Sequence, residues 1–185
     1  MKRILTLAVA LGLAFGSAAP AAELAGVTMP ETDTVEGKTL KLNGLGLRKK
    51  AFFKVYVAGL YLETPSKDPA AILASSEIKS MRLHILRSLK GKQVSDAIAE
   101  GFERNSKAEL PKLKARLDKF AAMIPDVEEG DEIVMAWLPD KGTKVTVRGT
   151  DRGTVEGRDF ADALFAAWLG PEPVQEDLKK ALLGG

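Results

Sequence analysis

Cysteine is absent from this chain of 185 residues, so it can hold no disulfide and no lipid attached behind a cleaved leader. Histidine is nearly absent too. His84 stands alone, which excludes a histidine-dependent catalytic triad or a multi-histidine metal site within one chain, and on its strand it reads as a structural residue. Past residue 22 no stretch is apolar enough to span a bilayer. There is no internal repeat, low-complexity tract or linker that would split the chain.

What is there begins with a leader. Lys2 and Arg3 precede an apolar run from Ile4 to Phe15 and then small residues through Ala22. The run is well short of the roughly 20 residues a membrane-spanning helix needs. Ala19 and Ala21 fit the small positions before a cut, so residues 1–21 read as a secretory signal peptide and 22–185 as one exported, periplasmic domain. Removing Lys2 and Arg3 brings 27 basic residues to 25, equal to the 25 acidic ones. A neutral chain of roughly 160 residues can build one sizeable core, and it is no dedicated nucleic-acid binder.

The organising stretch is Leu42 to Glu63, LNGLGLRKKAFFKVYVAGLYLE. Its second half, from Phe52 to Leu62, carries residue types that suit a pleated, packed surface, and should form a central strand. A period of two puts Tyr56, Ala58, Leu60 and Leu62 on one face and Val55, Val57, Gly59 and Tyr61 on the other, both apolar and so both covered. Lys38 to Leu42 reads as the first strand of this hairpin, with Gly44 and Gly46 permitting close backbone approach and Arg48-Lys49-Lys50 forming its polar corner. An arginine at the mouth of such a hairpin, near a strand tyrosine, suggests a pocket for an amphipathic anion. The plainer alternative is that Arg48 pairs with a surface carboxylate. If buried, it calls for an anionic partner, because an uncompensated buried charge costs several kcal/mol.

Elsewhere the pattern segregates strands from helices. Residues 24–37 read as a short strand broken by Pro30 and then a polar turn. Asp68 and Pro69 open a short helix over 70–74, and 78–89 is a strand. Helices follow over 93–105 and 109–123, stopped by Pro125. A β-meander covers 130–156 with turns at Pro139–Gly142 and Asp151–Gly153, and helices over 159–169 and 175–183 close the chain. This is an α+β arrangement, helices packed on an antiparallel sheet. The acidic residues Asp126, Glu128, Glu129, Asp131 and Glu132 lack the spacing of a calcium loop and read as a solvated loop, so no metal is expected. Gly44-Leu45-Gly46 is followed by no helix, which disfavours a phosphate loop. Trp137 and Trp168 read as core fillers.

Three blocks, Leu42 to Glu63, LKGKQVSDAIAEGF from Leu89 to Phe102 and GTVEGRDFADALFAAWLG from Gly153 to Gly170, resemble the chalcone isomerase-like family, particularly its exported bacterial branch. The resemblance implies an open-faced β-sandwich, a large antiparallel sheet with helices layered on it and a ligand cleft between. The plant isomerases of this family use an arginine, a strand threonine, and a tyrosine and an asparagine on one helix. Their arginine falls on Arg48, their threonine on Tyr56, their tyrosine on Val94 and their asparagine on Gly101. Loss of the last two removes the hydrogen bonds that hold the ketone and argues against flavonoid cyclisation. The fatty-acid-binding members, which pair the arginine with a tyrosine at the Tyr56 position, are more similar.

The expectation is therefore a non-catalytic binding protein without cofactor, its ligand a fatty acid or similar apolar carboxylate. Arg48 and Tyr56 would hold the head, and Phe53, Leu60, Ile98 and Phe102 would line the tail. Two other classes stay open: an isomerase or lyase acting on an unsaturated carbonyl, with Arg48 as electrophile and Tyr56 as acid, and an interaction module of the cell envelope.

Overall fold

The structure, a computed structural model, describes residues 21–185. Of the expected signal peptide only Ala21 falls among them. Its remaining residues lie outside the described chain.

Seven strands form one antiparallel sheet in sequential order: β3 (Thr32–Val35), β4 (Lys38–Lys50), β5 (Phe53–Leu62), β6 (Lys79–Ile85), β7 (Glu132–Leu138), β8 (Gly142–Val147) and β9 (Thr150–Val155). Before them β1 (Ala21–Leu24) and β2 (Val27–Pro30) make a separate two-stranded hairpin. The helices are α1 (Pro69–Ala74), α2 (Gly91–Asn105), α3 (Leu110–Met123), α4 (Arg158–Leu169) and α5 (Glu176–Leu182). The α+β reading and the large sheet under a helical layer both hold.

Both faces of β5 are covered, as its composition requires. Ala58, Leu60 and Leu62 join the main core with Met81, Leu83, Ile85 and the buried residues of α2, α3 and α4. On the opposite face Val57 packs against Val27 and Met29 of the small hairpin, while Tyr61 packs with Leu40, Ile78 and Leu138. The helix α4 is the centre of the helical layer, because nine of its residues from Phe160 to Leu169 are buried. Where α4 crosses α2, a Cβ on Gly101 would collide with Ala167.

Three local expectations change. The first strand of the main hairpin does not end at Leu42: β4 continues to Lys50, and the turn falls at Ala51 and Phe52. Gly44 and Gly46 therefore lie inside the strand, where a side chain on either would strike α5, so the close-approach reading of this glycine pair holds. The run before Gly37 is not one strand and a turn: the strand expected before Pro30 is the β1–β2 hairpin, reversing at Ala25-Gly26, and the polar residues after it form β3, whose Asp33 makes an ion pair of 2.7 Å with Arg82. In the meander the reversal between β8 and β9 occurs at Arg148-Gly149, both at positive φ, while Asp151 to Gly153 forms an irregularity inside β9. The remaining boundaries agree to within a few residues, and Asp68 caps α1 by accepting from the Ala70 and Ala71 amides.

One irregularity in β4 matters for the site. Leu40 and Leu42 face away from the helices, packed with Tyr61, and strict alternation would send Gly44, Gly46 and Arg48 the same way. The register instead shifts between Leu42 and Gly44, leaving Asn43 as an extra residue. Everything beyond it changes face, so Gly46 pairs with Ala58 and Arg48 with Tyr56 on the helix-covered side. Asn43 uses its freed side chain to donate to the Ser66 and Leu182 carbonyls and to accept from the Ser66 amide, which ties α5 to the sheet.

Candidate ligand-binding site

At the open end of the helix-covered face lies a cleft of about 590 Å³, within the range of small-molecule pockets. Its floor is the ends of β4, β5 and β6, with Arg48, Phe53, Tyr56, Leu83 and Ile85, and its far wall is α2, with Val94, Ala97 and Ile98. Ala167 and Trp168 of α4 close the bottom.

Arg48 and Tyr56 are directly opposed across the β4–β5 ladder, which puts their Cβ atoms about 5 Å apart on one face. The Tyr56 hydroxyl accepts a hydrogen bond of 3.0 Å from Trp168 Nε1. Its own hydrogen is left to be donated into the cleft. Burial pushes the phenol up to about 12, outweighing the opposite pull of the Trp168 hydrogen bond and of the charge and hydrogen bond of Arg48, so Tyr56 is a neutral donor at ordinary pH.

Arg48 is half-buried, and its Nη1 donates to the Lys49 carbonyl and to Gln175 Oε1 at 3.2 Å. Gln175 also accepts from the Lys49 amide at 2.9 Å and donates to the Leu47 carbonyl at 3.2 Å, so it braces the strand while adding no charge. A guanidinium has five N–H donors. With Nη1 spent, the donors on Nη2 and Nε remain, close enough to the Tyr56 hydroxyl for the guanidinium to interact with it and open to the cleft beyond. The surface ion pair offered as the plainer reading of Arg48 is not formed among the described residues.

The rim is predominantly cationic, with Lys50, Arg87 and Arg104. Of its two acids, Asp96 pairs with Lys92 outside the cleft at 2.7 Å, and Glu100 pairs with the rim residue Arg104 at 3.7 Å. Arg104 nevertheless leaves Nη2 buried without an acceptor. Among the described residues no cluster of three or more His, Cys, Asp or Glu is placed to hold a metal.

Of the six residues expected around a ligand, Arg48, Tyr56, Phe53 and Ile98 line the cleft. Leu60 and Phe102 do not: each is fully buried in the core, Leu60 two β5 alternations beyond Tyr56 and Phe102 packed on Phe160 at 5.4 Å between ring centroids. Amphipathic spacing identifies a core-facing stripe but not where along it the packing opens. Val94 sits on the cleft wall with no hydrogen-bonding group, and Gly101 faces α4 instead of the cleft. Sequence reasoning missed Trp168 and Gln175 as partners of the pair. Trp168 is 3 % exposed, so its role as a core residue stands, and its indole N–H is what the apolar spacing of α4 could not reveal.

The fold and site define a class: a curved antiparallel sheet under one helical layer, with an arginine and a tyrosine at the open end. A model described as chalcone isomerase-like matches residues 21–184, and the chain belongs to that family. Among solved structures it is similar to the crystal structure of an Arabidopsis thaliana fatty-acid binding protein. The two superimpose with a TM-score of 0.72 at 15 % identity over 89 % of this chain and 96 % of that one, a likeness of fold. A search of curated proteins finds no match.

Proposed function

We propose that this protein is a non-catalytic binding protein that holds a fatty acid or similar apolar carboxylate in the cleft. The observation that carries this is the pairing, in one cleft, of an Arg48 guanidinium that has no carboxylate partner among the described residues and spends only Nη1 on the strand with a neutral Tyr56 hydroxyl that already accepts from Trp168. Such a pair offers donors to an anion's oxygens and takes up no proton from it. The carboxylate would neutralise a charge that Gln175 only braces, and apolar walls from Val94, Ala97, Ile98 and Ile85 would take the tail at about 0.8 kcal/mol per buried methylene. The fatty-acid binding neighbour of the same fold supports the ligand class. Export to the periplasm belongs to the same proposal and rests on the leader at 1–21. Fractionation of cells carrying the chain with and without those residues tests it.

The ligand is tested by native mass spectrometry of the chain from Ala22, with extraction and identification of whatever co-purifies. A stoichiometric carboxylate lost in Arg48→Ala is expected, and retention of the same guest by that variant would refute the assignment. The same two groups could polarise the carbonyl of an enone, since a protonated Tyr56 is positioned to act as an acid. Turnover of an enone panel that Tyr56→Phe abolishes would favour that reading.

A further inference from the structure

The hairpin tip between β4 and β5 breaks the rule that large apolar side chains are buried. Phe52 is 82 % exposed and Phe53 47 %, and among the described residues they are the exposed large hydrophobics. Their rings lie 4.2 Å apart between centroids and form one small apolar knob. Lys49, Lys50, Lys54 and Arg87 surround it, all exposed, with the Arg87 guanidinium 4.4 Å from the Phe53 ring centroid. None of these four cations forms an ion pair among the described residues. The sequence from Lys38 to Leu62 contains six Lys or Arg and no acid at all. In a chain that is otherwise balanced, this is a local field of one sign around a two-ring wedge.

We propose that this tip docks the protein on an anionic phospholipid surface, with Phe52 entering the headgroup–acyl boundary and the four cations facing lipid phosphates. Apolar rings beside Lys and Arg are the composition of interfacial anchors, and both components are needed for binding. A second copy of the chain is the poorer occupant: two rings bury far less than the roughly 1,000 Å² a stable interface needs, and tip-to-tip contact would set one group of cations against another. The tip is continuous with the cleft, because Lys50, Phe53 and Arg87 line its mouth. Docking would therefore open the cleft against the bilayer, and an apolar guest could pass between them without crossing water. That consequence rests on the proposed ligand; the docking itself does not.

The test is co-sedimentation of the chain from Ala22, which carries the whole sheet, helical layer and core, with vesicles. Two compositions are compared, phosphatidylcholine alone and phosphatidylcholine mixed with phosphatidylglycerol, at low and high salt. Binding to the anionic vesicles is expected, weakened by salt and about ten-fold lower in Phe52→Ser and in the triple variant Lys49→Gln, Lys50→Gln, Lys54→Gln. Both variants touch exposed side chains and should keep the wild-type melting curve. Because Trp137 and Trp168 are buried, Phe52→Trp gives a tip reporter whose emission should shift to the blue on anionic vesicles only. Arg48→Ala should keep vesicle binding within about two-fold while losing its carboxylate, which separates failure of the ligand reading from failure of this one. No binding at low salt, equal binding of Phe52→Ser, or a Phe52-dependent dimer that ignores vesicles would each overturn the proposal.

Discussion

Lys79 and Arg48 sit at the two ends of the same helix-covered face. Lys79 begins β6, and Arg48 is joined through Tyr56 to Ile85 at the other end of that strand, six residues or about 20 Å away. Lys79 is the more buried, at 1 % exposure, yet it is the less available. Its three ammonium hydrogens go to the Ile72, Leu73 and Ser75 carbonyls at 2.9, 3.0 and 3.1 Å, at the C-terminal end of α1. An ammonium has no fourth donor. Arg48 is only half-buried, spends one nitrogen and keeps the others facing a cleft. Burial alone does not mark a binding site; donors left over after the fold has taken its share do.

The largest effect that would sharpen this contrast is on stability. Lys79→Ala should strand three carbonyls and leave a hole beneath Phe165, costing about 3–5 kcal/mol in urea unfolding. Ligand retention in the folded fraction should be unchanged. A loss under about 1 kcal/mol would mean that water can serve those carbonyls, and that Lys79 is as spare as Arg48.

Alkaline pH offers a second, somewhat smaller test. Burial lowers Lys79 to about 8, so between there and the ordinary lysine range the unfolded chain holds more protons, and stability should rise with pH. Burial raises Tyr56 and Tyr61 each to about 12, so their contributions are whole below the ordinary tyrosine value of about 10 and are lost as pH climbs through 12. Stability should therefore peak near pH 10. The rising limb, one proton, changes by at most about 1.4 kcal/mol per pH unit, and the falling limb, two protons, by at most about twice that. Denaturation at a series of pH values checks this: Lys79→Met should remove the rising limb and Tyr61→Phe should roughly halve the fall, Tyr56 supplying the rest. A monotonic decline from pH 8 in the parent chain would contradict it.

The legible parts were those a single strand or helix decides by itself. The two-faced apolar β5, the Asp68 cap, the α4 stripe and the segregation of strands from helices each follow from local composition, and they settle the fold class. The site depended on an event that period counting cannot see. Strict alternation carries Arg48 to the face of Leu40 and Leu42, and only the extra residue at Asn43 turns it into the cleft. Arg48 was singled out by its place at the hairpin mouth near a strand tyrosine, and then by the family resemblance, where alternation would have misplaced it. Leu60 and Phe102 were drawn into the expected lining because a core stripe and a cleft wall share one spacing. Phe52 was read as a strand residue from its type, although it occupies the turn, where no neighbour can cover it.

On the Arg48 side the expected change is in binding. Arg48→Ala should weaken retention of a bound carboxylate by about ten- to a hundred-fold, the worth of a charge-assisted hydrogen bond, with less than about 1 kcal/mol lost in stability. Equilibrium dialysis with a labelled fatty acid and a parallel melt measure the two. A large fall in melting temperature with unaltered retention would make Arg48 another Lys79, a structural cation, and the contrast would collapse.

The smallest change falls on Tyr56, where two roles must be separated. Tyr56→Phe removes the donor proposed for the ligand and also the acceptor of the Trp168 indole N–H. A fall of about three- to ten-fold in carboxylate binding is expected, close to the net worth of one neutral hydrogen bond. Reorientation of Trp168 could by itself produce such a fall. Trp168→Phe in the parent chain frees the hydroxyl to keep donating, whereas the double variant has neither group. If the hydroxyl acts on the ligand, Tyr56→Phe should cost as much in the Trp168→Phe background as in the parent. If it serves only to seat the indole, its effect should vanish there, leaving Arg48 alone as the head-group contact.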